Sequence, residues 1–220
     1  MVRATVRRRK RSEASLESAV AAFGRHGYYG TSMRQIADTI TLTKGSLYYY
    51  FGSKADILFA AHDRALDRML EVLERVLAAG GDPKSQLHEI VVEHTRAMVD
   101  GFHGTALGLE LDALPPEPRR RLVAKRDRYE RGVRALVAKE SRRGAESTVA
   151  TRAFLGALNW TAHWYRPDGP YSPQRIAELV ADYAVAGLIH ASTRAHHPDR
   201  QRRADRGRVR SLQDAPRGAA

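Results

Sequence analysis

Apolar residues in this chain recur at helical spacing from end to end, and nowhere do they alternate as in a half-buried strand. Leu16, Ala19, Val20 and Phe23 fall at i, i+3, i+4 and i+7, and the glycine-bounded run at 24–30 ends the helix they predict. Ser32 and Gln35 have capping-box spacing ahead of Met33, Ile36, Ala37 and Ile40, which predicts a short second helix. Thr43 is placed to cap a short third helix. Ser53 is placed to cap a fourth, long one, whose Leu58, Ala61, Ala65, Met69, Val72 and Val76 keep helical period to Gly80-Gly81.

Beyond Asp82-Pro83 the pattern continues through Leu87, Ile90, Val91, His94 and Met98. A shorter apolar piece over 103–114 ends at Pro115-Pro116. A basic helix is predicted over about 117–143, stopped by Gly144. Residues 147–165 are apolar on nearly every side, so that helix must be covered on several sides. Arg166-Pro167-Asp168-Gly169-Pro170 then breaks the chain before a last helix over about 172–192. The expected fold is all-α: a three-helix head joined by a long helix to a larger bundle.

Composition narrows the chemistry. The 220 residues are 43% hydrophobic, enough for a real core, and contain no cysteine. Disulfides, thiolate metal sites and cysteine nucleophiles are therefore excluded. No run reaches the roughly 18 apolar residues of a membrane span. The basic N-terminus lacks the apolar stretch of a secretory signal, so a cytoplasmic location is expected. No nucleophile–base pair, metal cluster or glycine-rich phosphate loop is present, and His88, His94 and His103 lack metal spacing. Neither an enzyme nor a cofactor is expected.

The net charge of +12 is unevenly placed. Residues 1–11 carry Arg3, Arg7, Arg8, Arg9, Lys10 and Arg11 and no acid; residues 194–220 carry eight arginines against three aspartates. The intervening chain is nearly neutral. The expected organisation is a basic arm over 1–11, a reading head over 12–55, a bundle over 56–193 and a disordered basic tail over 194–220. Such tails suit a polyanion or simply keep the ends solvated.

The head has a helix-turn-helix outline over 33–51. At about 100° per residue, Leu47 and Phe51 lie about 40° apart and face the core. Gly45, Ser46, Tyr48 and Tyr49 then fall on the opposite side, with Tyr50 at the boundary. Tyrosine hydroxyls can bond phosphate, a glycine permits close backbone approach, and Lys44 at the helix start is placed near base edges. Arg34 and Thr43 can reach the same groove, and Lys54 can share a phosphate with the start of the long helix. The competing reading is that the aromatics serve an interface or pack beneath a loop.

Residues 19–58 resemble the DNA-binding domain of the TetR family of transcriptional repressors. The likeness rests on Phe23, Gly27, Thr31, Ser32, Ile36-Ala37, Lys44-Gly-Ser-Leu-Tyr-Tyr-Tyr-Phe51 and Lys54. The turn departs from it, with Ile40-Thr41-Leu42-Thr43 where members usually have Ala-Gly-Val-Ser. The resemblance implies a homodimer bound to a double-stranded DNA operator and a body that binds a small effector and dimerises through its last two helices. On that reading Ala177, Val180, Ala181, Ala184, Gly187 and Leu188 form the dimer interface. Burial inside one subunit is the alternative.

Two polar residues interrupt the apolar stripes of the body, His94 and Arg126. Either Arg126 pairs internally with Glu110 or Asp112 and His94 with backbone, or both line an effector pocket with Met98, Tyr129, Asn159, Trp160 and His163. Residues 156–180, with Trp164-Tyr-Arg-Pro-Asp-Gly-Pro170 at their core, resemble a subgroup of TetR regulators that responds to acyl-CoA thioesters. That implies an acyl-CoA effector, with Arg119, Arg120, Arg121, Lys125 and Arg128 available for its phosphates. A different hydrophobic effector, a solvated basic face, or an architectural nucleic-acid binder working through its tails are the other readings.

Overall fold

The computed structural model describes residues 2–39, 44–99, 111–141 and 147–194, and side chains over 13–38, 47–99, 111–140 and 147–188. The described residues form helices α1 (Val2–His26), α2 (Met33–Thr39), α3 (Lys44–Tyr50), α4 (Lys54–Ala79), α5 (Pro83–Val99), α6 (Pro116–Ser141), α7 (Ser147–Trp164) and α8 (Pro173–Arg194), with a 3₁₀ turn at Leu111–Ala113. Thr43, Ile40-Thr41-Leu42, Glu110 and the tail beyond Arg194 lie outside the described residues. The basic segment 2–11 is the first part of α1, continuous with the helix that enters the head.

Local chemistry places the boundaries where the pattern predicts them. Ser32 N–H donates to Gln35 Oε1 at 2.8 Å and Gln35 N–H returns to Ser32 Oγ at 3.2 Å, a closed capping box. Asp56 N–H donates to Ser53 Oγ at 3.1 Å to cap α4. Gly27 (φ 73°) and Gly80 (φ 71°) take the left-handed backbone that ends α1 and α4, where a side chain would be strained.

Two main cores form along α4. Leu16, Val20, Phe23, Ile36, Leu47 and Phe51 pack with Ile57, Ala61 and Ala65 of α4 in the head. The head's interior thus runs well past residue 55, where the sequence put its boundary. Met69, Leu73 and Val76 join Leu87, Ile90, Val91, Val133, Leu136 and Leu158 in the body. Between the two, Leu58 and Leu66 pack with Leu114 and Leu122, and Tyr28 of the head touches both this junction and the head core. Among the described residues, one helix therefore contributes to all of these interiors.

Candidate functional site

In the head, Leu47 (0% exposed) and Phe51 (8%) are buried while Tyr48 (44%) and Tyr49 (65%) stand in solvent. Tyr50 is half-buried against the core, with its ring edge on Tyr49 at 5.3 Å between centroids. Four consecutive aromatics thus divide between anchoring α3 and presenting its outer face. Arg34 is exposed on α2, 4.0 Å from Asp38. Lys44, Gly45 and Ser46 form the first turn of α3, their side chains lying outside the described residues.

Lys54 has a different occupation from the phosphate contact expected of it. Its ammonium donates to the carbonyls of Tyr28 at 2.7 Å and Thr31 at 2.9 Å and lies 4.4 Å from the Tyr28 ring centroid. The loop after α1 leaves two carbonyls that no helix satisfies, and a lysine at the start of α4 reaches both. Thr31 closes the same loop through Oγ1 to Gly27 O at 2.8 Å.

In the body, a cavity of about 340 Å³ opens between α4, α5, α6 and α7. His94, Met98, Arg126, Tyr129, Asn159 and His163, all singled out from the sequence, line it together with Leu66, Met69, Glu130, Arg152, Leu155, Gly156 and Ala162. A buried polar group stands in its wall. The buried Tyr129 hydroxyl lies 3.0 Å from His94 Nδ1, and His94 Nε2 lies 3.0 Å from Asn159 Oδ1. With the Asn159 oxygen accepting, Nε2 carries the proton and Nδ1 accepts from the tyrosine. Burial lowers the His94 pKa to about 4, against a smaller opposing effect of the Asn159 hydrogen bond. Burial likewise raises that of Tyr129. The pair is neutral across the physiological range, a polar but uncharged patch in the cavity wall.

Arg126 is not buried, contrary to the expectation from its place in an apolar stripe. It is exposed at the cavity rim, and among the described residues it forms no ion pair. The long side chain bends outward from its stripe, so its charge meets water and not the core. Beside it, Arg152 pairs with Glu130 at 3.3 Å. Trp160 is also displaced from the expected role: it is 60% exposed, outside the cavity, and stacks on His163 with centroids 4.3 Å apart.

The basic cluster of α6 is largely engaged within the chain. Arg119 pairs with Asp112 at 2.5 Å, Arg120 with Glu117, and Arg128 with Glu74 at 2.6 Å. Lys125 bridges Asp63 at 2.5 Å and Asp67 at 2.6 Å, and Arg121 lies over the Phe59 ring. Periodicity cannot reveal the partners of Lys125 and Arg128, because those acids sit on α4, about 50 to 60 positions away in sequence.

The small residues of α8 divide in the same way. Ala177 and Ala181 are 0% exposed, and Ala181 belongs to the subunit's own core, so they let α8 approach its neighbours inside one subunit. Val180, Ala184 and Leu188 pack partly on that core, while Gly187 is exposed. The outward apolar surface consists of Tyr183 (78% exposed) with Val149, Trp160 and Trp164 of α7. The Trp164–Pro170 segment forms the turn between α7 and α8: Gly169 N–H donates to Arg166 O at 3.0 Å and Arg166 meets Asp168 at 3.4 Å. Ser172 caps α8 through Arg175 N–H at 3.2 Å.

Among the described residues no helix is long and apolar enough to cross a membrane, and no three His, Asp or Glu side chains gather as a metal site. Comparison with known proteins agrees with the two-part construction. Residues 16–61 match the family model "Bacterial regulatory proteins, tetR family", and residues 80–188 match "Tetracyclin repressor-like, C-terminal domain". The HTH-type transcriptional repressor KstR2 of Mycobacterium tuberculosis is 24% identical over 186 residues, 79% of this chain and 90% of that protein. The crystal structure of PfmR from Thermus thermophilus is 33% identical with a TM-score of 0.70, covering 78% of this chain and 97% of that one. That of AibR in complex with isovaleryl coenzyme A and operator DNA is 29% identical with a TM-score of 0.69, covering 81% and 98%. With its helix-turn-helix head and helical body both matched, the chain belongs to the TetR family of transcriptional regulators.

Proposed function

We propose that this regulator is a homodimeric repressor that binds an operator through α3 and is released by a small acyl-CoA thioester bound in the body. The observation that carries the reading is the composition of the cavity. It is apolar along Leu66, Met69, Met98 and Leu155, holds a neutral His94–Tyr129–Asn159 group in its wall, and has an exposed arginine without an ion pair among the described residues at its rim. An acyl chain fits the apolar lining, a thioester carbonyl can accept from the Asn159 amide N–H, the protons of Tyr129 and His94 being already engaged, and Arg126 can meet an anionic group outside. At about 340 Å³ the cavity is near the lower end of ligand sites, which run from about 300 to 1,000 Å³, so a short or compact acyl group is favoured. The complex of AibR with isovaleryl coenzyme A supports the same ligand class.

Release follows from a population shift. Two heads of a dimer must meet successive major grooves about 34 Å apart. A ligand that prefers the subunit arrangement in which they cannot needs a differential affinity of about 1.4 kcal/mol for a tenfold effect. α4 can carry that preference, since it takes part in the head core and lines the cavity. Calorimetric titration with isovaleryl-CoA, butyryl-CoA, free CoA and the free acids tests the ligand class. Binding of at least one thioester, weakened by Arg126→Ala and absent for the acids, is expected. Binding of an uncharged hydrophobic compound in place of every thioester would move the reading to a non-CoA effector.

A further inference from the structure

On the far side of the His94–Tyr129 pair lies a second cavity of about 320 Å³. The two chambers share Met69, His94 and Tyr129, so the wall between them is two hydrogen-bonded rings and one flexible thioether. A methionine in that place can swing aside at little cost, because its unbranched chain repacks readily. The chambers differ in chemistry. The second contains Arg68 and Arg96, which converge on Glu93 at 3.8 Å and 3.1 Å. Two guanidiniums share one carboxylate there, leaving an excess positive charge in a recess that only that wall separates from the first cavity.

We propose that the second chamber receives an anionic group at the distal end of the effector's acyl chain. The preferred effector is then an ω-carboxy acyl thioester, with the chain in the first cavity and its terminal carboxylate on Arg68 and Arg96. This rests on the thioester reading above and extends it. The first chamber's rim already offers Arg126 to the coenzyme side, so the arginines beyond the partition are placed for the other end of the ligand. Planar guanidiniums match a carboxylate, and Glu93 already holds in that position the chemical group the ligand would bring.

The test is two matched pairs of thioesters, hexanoyl-CoA against adipyl-CoA and octanoyl-CoA against suberyl-CoA, titrated calorimetrically at one ionic strength. The wild-type protein is expected to bind one ω-carboxy member about tenfold or more tighter than its unsubstituted counterpart. In Arg68→Gln/Arg96→Gln that preference should fall to within about twofold, while Glu93→Gln, which frees the arginines, should increase it. Equal affinities within each pair, with the unsubstituted thioesters still binding, would overturn the proposal and leave the thioester effector standing. Equal loss for both members in the double variant would assign the chamber to the coenzyme phosphates, and overturn it as well. If no thioester binds, both readings fall.

Discussion

Ala65 and Leu66 are consecutive on α4 and serve different interiors: Ala65 is buried in the head core, and Leu66 lines the cavity of about 340 Å³ in the body. A displacement of α4 at the cavity cannot leave the head untouched, because no loop lies between the two positions. Coupling of ligand to DNA therefore needs no relay beyond the rigidity of one helix.

That arrangement separates effector response from DNA binding at Gly156. It lines the cavity from α7, and a Cβ there would meet nothing within 4 Å. Gly156→Ala should stabilise the protein by about 0.5–1 kcal/mol, the ordinary cost of glycine inside a helix. Gly156→Phe should fill the chamber, keeping operator affinity and dimer mass but losing thioester binding. Unchanged thioester affinity in the phenylalanine variant would place the ligand elsewhere.

The buried His94 predicts an acid-sensitive fold. Its pKa is lowered from 6.5 to about 4, so the unfolded chain binds the proton more readily in that interval. The stability it contributes is fully present above about pH 6.5 and is lost as pH falls through 4, with a size on the order of 3 kcal/mol. Thermal melts at pH 7 and pH 4.5 should show a steeper loss for wild type than for His94→Gln. Parallel losses would mean that His94 is protonated in the folded protein.

Lys54 and Tyr49 should behave oppositely, although both were expected at the DNA. Lys54→Met removes the donor to two loop carbonyls and should lower stability by about 1–3 kcal/mol, with DNA affinity falling as a consequence. Tyr49→Ala, at an exposed position, should leave the melting temperature unchanged and weaken operator binding by about 1–3 kcal/mol. Differential scanning calorimetry alongside anisotropy separates the two. A lysine variant of normal stability that lost DNA binding would return Lys54 to the phosphate.

The outward face of α7 and α8 is the expected dimer contact. Tyr183, Trp160 and Trp164 are large apolar side chains exposed on these two helices, and contiguous exposed apolar surface marks interaction sites. Sedimentation should give a dimer for wild type, and Tyr183→Glu should shift it toward monomer. Ala181→Ser, inside the subunit core, should instead lower stability. A wild-type monomer at micromolar concentration would contradict the interface.

The legible parts of this molecule were those set by short-range rules. Capping by Ser32 and Ser53, the split of Leu47 and Phe51 from Tyr48 and Tyr49, and the length of α4 all follow from neighbours within about four residues. His94 and Arg126 were legible because each interrupts an apolar stripe, and Met98, Tyr129, Asn159 and His163 were named with them as lining the same pocket. Met69 and Leu66 did not stand out, since an apolar side chain lining a chamber looks the same in sequence as one filling a core. Direction was the other gap. Arg126 turns to the rim, Trp160 turns to the surface, and Ala177 and Ala181 turn inward, directions that periodicity alone does not set. Lys54 and the α6 cations found partners far along the chain, where periodicity carries no information.

The most direct test of a thioester-released repressor is a release titration. A duplex selected by the protein from a random library is fluorescently labelled, bound to saturation, and titrated with short-chain and ω-carboxy acyl-CoAs while anisotropy is followed. At least one thioester is expected to lower DNA affinity by about tenfold or more, free CoA is not, and Arg126→Ala should shift the required concentration upward. Thioesters that bind the protein at saturation yet leave DNA affinity unchanged would contradict a thioester-released repressor.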